Sequence, residues 1–144
     1  MGARNVRGGL MLLSLGLLLG LLMSLYAFVP MVRVPAALDT YDDLPRRLVR
    51  LAHIAAVMLP LINIVVGGCL DGLPLSRRVR DLASRGLLYG AAGLPATLLL
   101  EAAWAPARAA HLSGLPALTF CVAVFAVTWG AWRLPRGLVA AGSK

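Results

Sequence analysis

Charged side chains are scarce in this chain of 144 residues, and that scarcity decides its class. Asp, Glu, Lys and Arg together make up 14% of the sequence, whereas hydrophobic residues make up 60% and the mean hydropathy is +0.82. Soluble domains carry roughly 25% charged and roughly 45–50% apolar residues. The composition therefore excludes a soluble enzyme and an intrinsically disordered chain.

Cysteine is also rare, since only Cys69 and Cys121 are present. Two cysteines are too few for a disulfide scaffold, and Cys69 and Cys121 lie too far apart in the sequence for the paired ligand spacing of a zinc-finger module. Cys69 lies at the end of one apolar stretch and Cys121 lies inside another, so we do not expect them to pair. We predict that both behave as small buried hydrophobic residues.

Sequence motifs of catalysis and of metal binding are absent. The chain has no Gly-x-Ser-x-Gly elbow, P-loop, Gly-x-Gly-x-x-Gly turn, HExxH or CxxCH, so no catalytic residue and no metal site are predicted. The 14 Lys and Arg residues outnumber the 6 Asp and Glu residues. Because these basic residues form no run interleaved with aromatics, nucleic acid is not an expected partner.

What the chain has instead is four long stretches with almost no charge. They cover residues 8–32, 51–70, 86–107 and 109–132, and Glu101 is the one acid among them. About 20 apolar residues cross the hydrocarbon core of a bilayer as a helix. The predicted fold is therefore all-α, a four-helix transmembrane bundle in one membrane domain over 1–144, with spans near 9–29, 48–67, 86–104 and 115–132.

Polar segments between the stretches predict where helices begin. Asp43 followed by Pro45 combines a favoured N-cap residue with a first-turn proline. Ser76 can cap a basic helical turn that runs directly into the third span. Asp81 and Arg85 form a favourable i,i+4 pair in that turn.

The distribution of Lys and Arg predicts the orientation. Cytoplasmic segments carry an excess of basic residues, and nine of the 14 flank the spans on the side of the N-terminus. We therefore expect a multi-pass membrane protein with both termini in the cytoplasm. These nine residues are Arg4, Arg7, Arg77, Arg78, Arg80, Arg85, Arg133, Arg136 and Lys144. The richness in Ala, Leu, Gly and Arg resembles that of proteins from high-GC bacterial genomes, so the expected membrane is a bacterial inner membrane.

Small residues four apart predict helix packing faces. Gly16 and Gly20 form such a pair in the first span, and Gly86 and Gly90 form one in the third. This spacing lets helix backbones approach closely where no hydrophobic force draws helices together.

Polar residues at membrane depth are few, and ionisable ones are default candidates for a site. His53, Glu101 and His111 all reach the outer face in the predicted topology, where Arg50 also lies. In the structural interpretation, Glu101 pairs with Arg50 or His53 in a polar outer cluster. In the alternative, His53 and His111 ligate a haem iron or a metal while Arg50 meets the haem propionates. Asn63 is expected to make an interhelical hydrogen bond.

One segment resembles a known group of proteins. Residues Pro45-Arg-Arg-Leu-Val-Arg-Leu-Ala-His53-Ile-Ala, followed by Leu61-Ile-Asn63, resemble a segment of uncharacterised four-span bacterial membrane proteins. The resemblance covers about 20 residues and implies the four-span architecture. It implies no defined activity and no cofactor.

The expected function follows from two features of the spans: they offer faces for helix packing, and they contain few side chains that could bind a ligand or catalyse a reaction. We expect a non-catalytic accessory or assembly subunit of a larger inner-membrane complex, whose partners are the lipid bilayer and other membrane-protein subunits. The alternative is a haem- or metal-linked membrane redox protein that uses His53 and His111.

Overall fold

A computed structural model describes residues 1–28, 33, 43–104 and 112–133. This part of the chain forms four α-helices and contains no strand. The helices are α1 (Gly2–Phe28), α2 (Leu44–Leu70), α3 (Arg77–Trp104) and α4 (Gly114–Trp132). Each is long and apolar enough to cross a membrane, so the predicted all-α fold with four spans is confirmed.

Three helices begin earlier than the predicted spans, because their charged first turns are already helical. α1 begins at Gly2 and includes Arg4 and Arg7, while α3 begins at Arg77. The Oγ of Ser76 accepts a hydrogen bond from the Val79 amide at 3.3 Å, which confirms the predicted cap. Arginine is a good helix former, so the basic turns extend the apolar spans rather than interrupt them.

The other predicted starting signals are also visible in the structure. Asp43 occupies the N-cap position of α2 with Pro45 in the first turn, although its carboxylate makes no capping hydrogen bond. The predicted pair of Asp81 and Arg85 forms at 2.8 Å. The backbone geometry at Asp43 and Pro45 is therefore enough to begin α2 without a side-chain cap.

Contacts between helices define the arrangement. α1 packs mainly on α2, α2 on α3 and α3 on α4, with a smaller contact between α1 and α3. Gly2 lies against Gly67 and Gly20 against His53, so α1 and α2 run antiparallel. Gly8 of α1 lies against Leu88 of α3. α1, α2 and α3 therefore pack against one another, and α4 lies on the far side of α3.

Glycines line two of the helix interfaces. A Cβ atom at Gly16 would overlap the backbone carbonyl of Ala56, and one at Gly20 would lie 2.5 Å from His53 Cε1. On the other side of the bundle, a Cβ at Gly90 would lie 2.5 Å from the Cβ of Phe120, and one at Gly86 would lie 3.1 Å from the Cβ of Ala123. α1 thus meets α2, and α3 meets α4, at distances that a larger residue would prevent.

The hydrophobic core lies where the end of α2, the α2–α3 connection, α3 and α4 meet. Its buried members are Leu70, Leu73, Ala83, Leu87, Ala91, Phe120, Ala123 and Val127. Cys69 and Cys121 are outside it, because both are exposed on the surface of the bundle. The prediction of two buried cysteines is therefore wrong. A small apolar side chain can face lipid as readily as it can face a core.

Candidate functional site

The most polar part of the interior is a network of three buried side chains, one from each of α1, α2 and α3. Asn5, Asn63 and Ser84 are each 0% exposed. The Nδ2 of Asn5 donates to the Oδ1 of Asn63 at 2.8 Å and to the Ser84 carbonyl at 3.2 Å. The hydroxyl of Ser84 donates to the Oδ1 of Asn5. These bonds connect the three helices directly.

Asn63 extends the network along α2 and α3. Its Nδ2 donates to the carbonyl of Leu87 at 3.0 Å and to the carbonyl of Leu59 at 3.3 Å. The predicted interhelical hydrogen bond of Asn63 is therefore confirmed, and it has two partner helices. Because both amide groups are satisfied inside the chain, the network meets the condition for a buried polar group without leaving an unpaired donor.

Arg4 joins this network to charged groups at the surface. Its Nη2 donates to the Ser84 hydroxyl at 2.7 Å and to the Oδ1 of Asp81 at 3.1 Å, and Asp81 also pairs with Arg85. We call this end of the bundle, where α1 and α3 begin and α4 ends, the basic end. Within the part of the chain that the structure describes, its basic residues are Arg4, Arg7, Arg77, Arg78, Arg80, Arg85 and Arg133.

Asp71 caps the start of α1 from the α2–α3 connection. Its carboxylate accepts a hydrogen bond from the backbone N–H of Gly2 at 3.0 Å and one from the amino group of Met1 at 3.2 Å. The Gly2 hydrogen bond is the main reason that the pKa of Asp71 lies below its usual value, and the positive Met1 amine lowers this pKa further. A carboxylate at this position also interacts favourably with the helix dipole.

At the opposite end, Glu101 performs a similar role for α4. Its side chain is 3% exposed, and its Oε1 accepts a hydrogen bond from the Ser113 backbone N–H at 2.8 Å. The Oε2 of Glu101 accepts another from the Ser113 hydroxyl at 3.3 Å. Ser113 is the N-cap residue of α4. The carboxylate therefore fastens the end of α3 to the start of α4.

The members of the predicted outer cluster are located as follows. His53 and Arg50 lie near the start of α2, at the same end of the bundle as Glu101. The His53 ring lies against Gly20 of α1, and its Nδ1 is buried with no hydrogen-bond partner. His111 lies outside the described residues. The pairing of Glu101 with Arg50 or His53 stays a prediction, and the hydrogen-bond partner found for Glu101 is Ser113.

Metal-binding groups do not converge in the described ranges. No three His, Cys, Asp or Glu side chains in residues 1–28, 43–104 and 112–133 are arranged to hold a metal ion. The buried carboxylate of Glu101 and the buried side-chain amide of Asn63 are instead hydrogen-bonded to other residues of the chain.

Sequence reasoning missed Asn5 and Ser84. Asn5 lies between Arg4 and Arg7, so the sequence indicates a solvent-exposed residue before the first span. The signal that could have found it is its spacing to the small residues Gly2 and Gly9, which lie three residues before and four after it on one helix face. Ser84 carries no such signal, because only the register of α1 against α3 shows that it faces Asn5.

Comparisons of the chain with protein-family models, curated proteins and solved structures found no match.

Proposed function

We propose that this chain is a non-catalytic accessory or assembly subunit of a larger bacterial inner-membrane complex. The observation that carries the proposal is an apolar groove of about 480 Å³ between α3 and α4, on the outside of the bundle. Among the residues that line it, Ala83, Gly86 and Ala123 are buried. Leu118 and Val122 line it too, and their side chains are exposed.

The shape of this groove suits a transmembrane helix of another subunit. In lipid, helices associate through close van der Waals packing, and their interfaces are enriched in small residues. The small buried residues form a floor that a helix can approach, and the exposed leucine and valine side chains form a rim that can interlock with it. Thr119 is the polar residue of the lining, and its hydroxyl already donates to the Leu115 carbonyl.

The use of polar groups inside the chain supports the same proposal. Asn5, Asn63, Ser84 and Glu101 are the buried polar residues of the described part, and each is hydrogen-bonded within the chain. Intramembrane polar groups that hold helices together give a rigid element on which other subunits can pack. Such rigidity suits a small subunit that supports the other subunits of a complex.

The experiment is extraction of the native membrane in a mild detergent, followed by size separation of the tagged chain. Ala126→Phe places a bulky side chain in the groove, and Val65→Phe is the matched control on the exposed surface of α2, where Val65 is 72% exposed. We expect the wild-type chain and the control to elute in a complex far larger than 15.2 kDa. The Ala126→Phe chain should elute alone at a normal level. Elution of the wild-type chain alone, or of Ala126→Phe in the complex, contradicts the proposal.

The alternative function is that of a haem- or metal-linked redox protein using His53 and His111. The observation that favours it is the buried Nδ1 of His53, which has no hydrogen-bond partner in the described structure. An unprotonated imidazole nitrogen is a common ligand of haem iron and of transition metals. The purified chain would then show either a Soret absorption band or bound transition metal by elemental analysis, and His53→Ala would abolish it. A wild-type chain with neither the band nor the metal contradicts the alternative.

A further inference from the structure

A second groove lies between α1 and α3, on a different surface from the groove between α3 and α4. It has a volume of about 620 Å³, within the range of roughly 300–1,000 Å³ that is usual for ligand sites. Arg4 and Arg7 lie at one end of it, and Gly8, Met11, Leu88 and Ala92 are among the apolar residues of its lining. On α1, residues 4, 7, 8 and 11 share one helix face, so the charged part of the groove passes directly into the apolar part.

The charged part of this groove carries an excess of positive charge. Arg4 is paired with Asp81, and the same carboxylate is shared with Arg85. Arg7 is exposed, and no residue in the described part of the chain forms an ion pair or hydrogen bond with it. Asp81 is thus shared between the guanidinium groups of Arg4 and Arg85, whereas the Arg7 guanidinium has no carboxylate partner among the described residues and is available to a ligand.

The apolar part is shaped by the close approach of α1 to α3. A Cβ atom at Gly8 would lie 2.6 Å from the Cδ2 of Leu88, so the two helices touch there and close the floor of the groove. Met11 is 63% exposed and Ala92 is also exposed, so the groove opens outward toward the lipid. A groove open on this side can take a chain that lies along the helices.

We propose that this groove binds an anionic glycerophospholipid. Its phosphate would lie at Arg7 and Arg4, because guanidinium groups form strong charge-assisted hydrogen bonds with phosphate oxygens. One acyl chain would lie along Gly8, Leu88 and Ala92. A free phosphate ion would use only the charged part, whereas the observed lining joins a cationic end to an apolar channel, which is the chemistry of a phospholipid.

The test uses the full chain, purified in detergent, and measures lipid binding by native mass spectrometry. The probes are a phosphatidylglycerol and a phosphatidylcholine with identical acyl chains. Arg7→Gln removes the available guanidinium, and Arg78→Gln is the matched control, because Arg78 is an exposed arginine of the same basic end that lies outside this groove. We expect phosphatidylglycerol to bind more tightly than phosphatidylcholine. Arg7→Gln should weaken phosphatidylglycerol binding about fivefold, and Arg78→Gln should change it less than about twofold.

A third variant tests the apolar part without changing the charge. Ala92→Phe fills the groove next to Leu88 and is expected to weaken the binding of both lipids. Equal losses in Arg7→Gln and Arg78→Gln would show a diffuse attraction to the basic end and would overturn the site. Unchanged binding in Ala92→Phe, or binding of inorganic phosphate as tight as that of phosphatidylglycerol, would also overturn it, because the acyl chain would then contribute nothing to binding. None of these outcomes bears on the groove between α3 and α4.

Discussion

At the scale of single residues, the few buried polar side chains form hydrogen bonds that hold the helices together. Asn5 and Asn63 share a hydrogen bond in which each amide is fully buried. In lipid such a bond contributes about 0.6 kcal/mol on average and up to about 1.7 kcal/mol. Removing one partner costs more than this, because the other amide stays buried with an unsatisfied donor or acceptor.

Replacing Asn63 by Ala is therefore expected to lower the free energy of unfolding by about 1–2 kcal/mol. Titration of the folded chain in mixed micelles with SDS measures this loss. The double variant Asn5→Ala/Asn63→Ala should lose less than the sum of the two single variants, with a coupling of at least about 0.5 kcal/mol. Additive losses would mean that the two amides do not interact.

Asp71 gives a second prediction at this scale, which concerns pH. The Gly2 N–H and the Met1 amine lower the pKa of Asp71 in the folded chain. The ionised carboxylate therefore stabilises the fold at pH values above the pKa that Asp71 has in the unfolded chain. This stabilisation is lost as the pH falls through the lower folded value, below about pH 4. Amide protection in the first turn of α1 should fall over this acidic range. In Asp71→Asn this acid-dependent step should be missing, and a step of unchanged size in that variant would contradict the cap.

At the scale of helices, glycine sets the distance between α3 and α4. Gly90 faces the Phe120 side chain and the Pro116 carbonyl, so Gly90→Leu should force the helices apart and lower the free energy of unfolding by about 1–3 kcal/mol. Gly68 of α2 is the matched control, because a Cβ atom there would meet nothing within 4 Å. Gly68→Leu should change stability by no more than about 0.5 kcal/mol. Equal effects of the two substitutions would contradict the close contact.

The start of α4 depends on a residue of another helix. Glu101→Gln keeps an oxygen that accepts from the Ser113 N–H, whereas Glu101→Leu leaves that N–H without its acceptor. A lost cap is worth about 1 kcal/mol, so hydrogen exchange at Ser113 and in the first turn of α4 should quicken about fivefold in Glu101→Leu. Exchange in Glu101→Gln should stay close to that of the wild-type chain. The same exchange rate in both variants would contradict the cap.

Local sequence signals predicted the helices well, because a bilayer demands a long apolar run for each crossing. They also predicted the Ser76 cap and the pair of Asp81 and Arg85, since both are set by spacing along one helix. The partner of Glu101 could not be predicted in this way. Ser113 is close to it only because α4 folds back against α3, and the sequence does not reveal that packing.

At the scale of the whole molecule, charge separates the two ends of the bundle. The basic end collects seven of the described arginines and the acids Asp71 and Asp81, while the other end has Asp43, Glu101 and the arginines near the start of α2. The positive-inside rule predicts that the basic end faces the cytoplasm. Anionic lipids are enriched in the cytoplasmic leaflet of cell membranes, so the proposed phospholipid groove would then open toward the leaflet that contains its ligand.

The measurement that tests the four-span account most directly is thiol labelling from each side of the membrane. In a chain with Cys69 and Cys121 replaced by Ala, single cysteines are placed at Arg47, near the start of α2, and at Arg78, in the first turn of α3. A membrane-impermeant maleimide should label position 47 in intact cells and position 78 only after the membrane is opened. Labelling of both positions from the same side would contradict the crossing of the membrane by α2, and the reverse pattern would contradict the orientation with cytoplasmic termini.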